Sequence, residues 1–269
     1  MIKILVPVAA DLASSIALRY ACQMSELIQM EIQTIHVKAP SSEGSGSQLG
    51  TGWVRHTWEK TMLTEAEDEI AQLIRAERTH CPSLGEPLIM IGDRDEKILR
   101  ELQRGSYDLF VEGTIPTFSS SYFSKRLESH LYQDMPCPFL MVKNLMPLHK
   151  VVLILSENVD LQKLIQIFTH IFGESNLKVE LFYLKSADPA GQESEGLEEM
   201  TLQAAMKALG ERGWVPEKSK VISGQARELA AELEDHGLLL TVLDRHLKKK
   251  TFLYEFLVAT PAPILLFWQ

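Results

Sequence analysis

Gly113 and Thr114 close an apolar run in the stretch VEGTIPTFSSSYFSKRL (Val111 to Leu127), and Lys125 and Arg126 follow after a segment dense in hydroxyls. Those types in that order could hold an anionic group. A glycine lets backbone N–H groups approach phosphate oxygens, a helix N-terminus adds partial positive charge, and cations can replace a nest of amides. The hydroxyls of Thr114, Thr117, Ser119, Ser120, Ser121 and Ser124 would help. The plainer reading makes Lys125 and Arg126 solvated charges beside a serine-rich turn. A second candidate is DRHLKKK, where Arg245, Lys248, Lys249 and Lys250 precede a helical pattern. Cations at a helix N-terminus are disfavoured unless an anion is near, so this segment is a candidate for a phosphate, an anionic ligand or a partner's acidic patch.

Catalytic machinery leaves little trace. There is no Gly-x4-Gly-Lys-Ser/Thr, no Gly-x-Ser-x-Gly and no His-Glu-x-x-His. The eight histidines are dispersed, with His36 ending an apolar strand and His130 on a helical pattern. His80 and Cys81 are adjacent on a loop, where neighbours seldom face each other, and Asp93 and Asp95 read as helix caps. The expectation is a protein that is not an enzyme and holds no metal.

Composition narrows the partners. A net charge of −9 argues against nucleic acid, whose binders cluster Lys and Arg. No run approaches the length of a membrane span, and the N-terminal MIKILVPVAA has the wrong flanks for a signal peptide. Cys22, Cys81 and Cys137 are too few and scattered for a disulfide framework, so they read as buried small hydrophobes in a reducing cytoplasm.

Apolar runs of strand length alternate with segments of helical period. IKILVPV, EIQTIHV, PLIMIG, YDLFVEG and CPFLMV are five strands, separated by helices and by a Gly/Ser-rich linker from Ala39 to Gly52. A single helix is expected to carry Phe123, Leu127 and Leu131. Asp11 caps the first helix. Strands apolar on both faces predict a parallel sheet covered on both sides. The same order then repeats as KVVLIL, LKVELFYL, KVISG, LLLTVLD and APILLF, and MPCPFLMV and TPAPILLF nearly match. Pairing DLFVEG with LLTVLD sets Phe110 against Thr241. Two α/β domains follow, residues 1–144 and 149–269.

These pieces resemble the universal stress protein family. KILVPV at the start, GDRDEKIL (Gly92 to Leu99), YDLFVEG and MPCPFLMV match its pattern over residues 1–144, and the second half matches in order more than in letters. The resemblance implies two Rossmann-like sheets of order 3-2-1-4-5, pairing through the fifth strands, and in nucleotide-binding members an ATP site at the carboxyl ends of strands one and four. Their loop reads Gly-x2-Gly-x9-Gly-Ser/Thr, with an aspartate after the first strand. Here Ala9 stands at the aspartate position, Gly113 matches the first glycine, Pro116 the second, and Lys125 and Arg126 the Gly-Ser pair. The expectation is a non-catalytic cytoplasmic stress-response protein without the usual ATP site and without a resident cofactor. It would act through protein partners or an anionic small ligand, with a homodimer as a further option. The alternatives are adenine nucleotide bound, and slowly hydrolysed, by a rebuilt loop of Gly113, Thr114, Lys125 and Arg126, or a sensor of a cyclic dinucleotide.

Overall fold

Ile2–Pro7 (β1) is apolar at nearly every position because both its faces are covered, and it pairs in parallel with Met30–Lys38 (β2) on one side and Leu109–Gly113 (β4) on the other. The computed structural model describes residues 1–40, 53–79, 81, 84–114, 119–186, 196–245 and 251–269, without the side chains of 53–59. Most of the Gly/Ser-rich linker, His80, Pro116, Thr117 and Lys248 to Lys250 lie outside the described residues.

Leu88–Ile91 (β3) flanks β2, and Phe139–Val142 (β5) flanks β4. The second half supplies Lys150–Leu155 (β6), Lys178–Ser186 (β7), Lys218–Gly224 (β8), Leu238–Leu243 (β9) and Ile264–Trp268 (β10). All ten strands form one sheet of order β3-β2-β1-β4-β5-β10-β9-β6-β7-β8. Each half therefore has the order 3-2-1-4-5, and the halves meet where β10 runs antiparallel to β5, with Leu265 opposite Leu140.

Helices cover both faces. Leu12–Ser25 (α1), Trp53–Arg78 (α2), Leu161–Phe172 (α6) and Leu197–Gly210 (α7) pack on one side through Leu18, Ile70, Phe168 and Leu202. Arg94–Gly105 (α3), Ser120–Leu127 (α4), His130–Gln133 (α5), Ala226–Glu232 (α8) and Phe252–Ala259 (α9) cover the other through Leu99, Phe123, Leu131, Leu229 and Phe256. Asp11 and Asp93 cap α1 and α3, accepting from the N–H groups of Ser14 at 2.8 Å and Glu96 at 2.9 Å.

Three sequence expectations change. The helix expected through Phe123, Leu127 and Leu131 is two, broken at Glu128 and Ser129, which lets Leu131 and Tyr132 turn into the core. The fourth strands align two residues away from the expected pairing: Phe110 and Leu239 each donate N–H to the proline opening a fifth strand, Pro138 and Pro263, both at 2.9 Å. A shift of two keeps every side chain on its own face, so the apolar pattern could not reveal it. Finally, Cys22 and Cys81 are not free thiols but a disulfide that ties α1 to the segment after α2, with Cα atoms 5.7 Å apart. Cys137 remains a buried thiol.

Candidate functional site

At the carboxyl ends of β1, β2 and β4 a cavity of about 320 Å3 opens, floored by Pro7, Val8 and Ala9 and walled by Asp11 and Ser14 of α1. Its chemistry centres on Glu112, the one charged side chain in an otherwise apolar β4, and it is 4% exposed. A buried carboxylate is tolerable only when paired. Arg94, at the start of α3, reaches Glu112 Oε1 at 2.6 Å, and Arg126, in the last turn of α4, reaches the same oxygen at 2.8 Å. Tyr132 of α5 donates its hydroxyl to Oε2. Three successive helices thus converge on one strand residue.

The charges reinforce one another. Burial works against the charged forms of Arg94 and Arg126, but the attraction of Glu112 outweighs it and both guanidiniums are held more firmly protonated than free arginine. Burial, and then the negative charge of Glu112, push the Tyr132 phenol well above its ordinary value, so it serves as a donor. Arg94 also meets the Asp95 carboxylate at 3.1 Å, so the two guanidiniums at the rim are matched by two carboxylates.

The sequence candidates scatter. Arg126 lines the cavity, but with Glu112 as its partner. Lys125 points to solvent. Gly113 also lines the cavity, and a Cβ there would fall 1.8 Å from Ala13 O, so the glycine is needed for the close approach of α1 to β4. Thr114 is buried, and its N–H is spent on Val142 O at 2.9 Å. The hydroxyls are committed as well: Ser119 caps α4, accepting from the Tyr122 N–H at 3.2 Å, and Ser120 and Ser124 bond Tyr254 of α9. Thr117 and Pro116 are outside the described residues. In the second basic segment Arg245 donates to Gln133 O at 2.5 Å, which ties it to α5, and Lys248 to Lys250 are not described.

Glu112, Arg94 and Tyr132 were not singled out from the sequence. The available signal was the glutamate inside LFVEG, since a charge in a strand buried on both faces demands a partner. Arg94 was hidden between the capping acids Asp93 and Asp95. His36 also lines the cavity; its Nδ1 donates to Val8 O at 2.8 Å, and Nε2 is buried without a hydrogen-bond partner. The second half has no counterpart of this cluster at the aligned position: Thr241 stands where Glu112 does and donates its hydroxyl to Ile154 O at 3.0 Å.

A protein of Archaeoglobus fulgidus described as a universal stress protein superposes on 99% of this chain, over 96% of its own length, with a TM-score of 0.66 at 13% identity. The chain has the tandem universal-stress-protein fold. A protein of unknown function from Pseudomonas aeruginosa covers 99% of the chain and 92% of its own length at 17% identity and a TM-score of 0.58. The universal-stress-protein likeness is not exclusive, since the cytoplasmic domain of a prokaryotic cation chloride cotransporter superposes on 98% of the chain, over 94% of its own length, at 8% identity and a TM-score of 0.51. No protein-family model and no curated protein sequence matches. The fold therefore places the cavity but does not name what enters it. Among the described residues no helix is long and apolar enough to cross a membrane, and no cluster of His, Cys, Asp and Glu could hold a metal.

Proposed function

We propose that this chain is a non-catalytic regulatory protein of the universal stress type, acting through protein contacts or a small anionic ligand, and that it does not hold ATP in the manner usual for that fold. The observation that carries this reading is the Glu112 carboxylate beside Gly113, at the mouth where a phosphate chain would lie. A carboxylate repels phosphate, and its pairing with Arg94 and Arg126 uses the cations that a phosphate would need. The spent N–H of Thr114 and the close approach of Ala13 to Gly113 support the same conclusion.

A second reading rests on the two partly exposed guanidiniums at the rim and the cavity of about 320 Å3, at the small end of the range for ligand sites. On that reading an adenine nucleotide, or a cyclic dinucleotide, docks on Arg94 and Arg126 in an altered mode, and slow hydrolysis is a secondary property. We retain the cytoplasm as the compartment, and the Cys22–Cys81 bond then requires shelter from cellular reductants, which the burial of both residues provides.

Thermal unfolding with millimolar ATP, AMP and cyclic dinucleotides separates the two. Binding to the native state stabilises it by roughly 2.7 kcal/mol at a hundredfold excess over Kd, a shift of several degrees. The first reading expects no shift with any of them. A shift that Arg126→Ala removes and Lys125→Ala keeps would replace it with the second.

A further inference from the structure

A cavity of about 340 Å3 opens between the two halves, at the end of the sheet away from Glu112. Tyr107, Asp108, Pro136 and Pro138, at the amino ends of β4 and β5, form its first-half wall. The second half contributes Phe267 of β10 and a stripe of α6 made of Lys163, Gln166, Ile167 and His170. Their spacing puts the four on one helix face, and the rise of 1.5 Å per residue separates Lys163 from His170 by about 10 Å along the axis.

The two ends of this slot differ in chemistry. At one end the Lys163 ammonium lies 4.9 Å from the centre of the Phe267 ring, and no described carboxylate pairs with it. At the other, His170 Nε2 donates to Asp108 Oδ1 at 2.8 Å, while Asp108 Oδ2 accepts the backbone N–H of Lys3, also at 2.8 Å. Each of those carboxylate oxygens keeps a further lone pair for a donor. Rings and aliphatic carbons of Tyr107, Pro138, Ile167 and Phe267 line the length between. A cation, an apolar slot and an acceptor in that order describe an elongated ligand with an anionic head and a donating tail.

We propose that the cleft binds a small aromatic carboxylate, with its carboxylate on Lys163, its ring in the slot and an O–H or N–H donated to Asp108. A second carboxylate at the tail would meet Asp108 and be rejected. Cys137 lies at the floor, and burial first of all pushes its thiol up to about 12, so it stays protonated and the site binds without covalent chemistry. Because both halves supply walls, the bound molecule bridges them, and the inference is independent of what the Glu112 cavity does.

Calorimetric titration of the full chain with 4-hydroxyphenylacetate, 4-hydroxyphenylacetamide and 4-carboxyphenylacetate tests this. The hydroxy acid is expected to bind, and the amide and the dicarboxylate to bind about tenfold or more weakly. Lys163→Gln should raise Kd for the hydroxy acid by about tenfold, Lys163→Arg should largely restore it, and Lys125→Ala should leave it unchanged. Equal binding of acid and amide, unchanged binding by Lys163→Gln, or no binding at millimolar hydroxy acid would overturn the proposal. So would a loss of binding in Arg126→Ala with Lys163→Gln unaffected, which would move the ligand to the other cavity.

Discussion

At the scale of single residues, Glu112 organises the first half, because Arg94, Arg126 and Tyr132 have no reason to approach one another without it. Replacing it with Gln keeps the shape and removes the charge, leaving two guanidiniums crowded together. The expected cost is about 3 kcal/mol, the low end for a broken buried pair, since both arginines keep some contact with water. Urea unfolding should show a lower midpoint with an unchanged slope, whereas Lys125→Ala, on the surface, should stay within about 0.5 kcal/mol. Lys143 carries a second prediction. It follows β5 and donates to Leu257 O and Thr260 O, both at 2.8 Å, and burial lowers it to about 7. The unfolded chain then binds more protons than the fold between about 7 and the ordinary lysine value near 10.4, so stability rises with pH across that window. Stability measured from pH 6.5 to 9.5 should climb in the wild type, and the climb should flatten in Lys143→Met.

Among the elements, α1 does more than cover the sheet. Its first turn walls the cavity and sits on Gly113, and it is bound to α2 through Glu77, which accepts from Arg19 Nε at 2.9 Å and Ser15 at 2.6 Å, and to the segment after α2 through Cys22–Cys81. The disulfide closes a loop with a sequence separation of 59. Its removal in Cys22→Ser/Cys81→Ser should cost about 2–4 kcal/mol, seen as a Tm lower than that of the wild type without reductant and matching that of the reduced wild type. Had the thiols been unlinked, reductant would change nothing. The pairing was not legible in the sequence, because the two cysteines come together only when α2 packs against α1. The caps at Asp11 and Asp93 were legible, since a cap acts on the N–H groups of its own first turn.

For the whole molecule, the antiparallel pairing of β5 with β10 turns two edges into the middle of one sheet. Behind it Tyr132 and Phe139 meet edge to face and Phe139 and Trp268 tilted, with centroids 4.9 and 5.9 Å apart, and the Trp268 indole donates to Tyr132 O at 2.6 Å. A fragment of residues 1–144 alone would expose the fully buried β5, so gel filtration should find it dimeric or aggregated, while the full chain shows no such association through that strand. Monomeric fragment would mean that the seam is not needed to cover β5. The sequence by itself determined the alternation of strands and helices and the internal repeat, because period, apolar runs and turn residues are local, while the strand order of each half was implied by the family resemblance. Only the tertiary structure decided that Arg126 pairs with Glu112, that Cys22 meets Cys81, and that the two halves build a cleft around Lys163 and His170. Those partners lie far apart along the chain, and charge, sulfur and cavity walls act by distance in space, which no period in the sequence records.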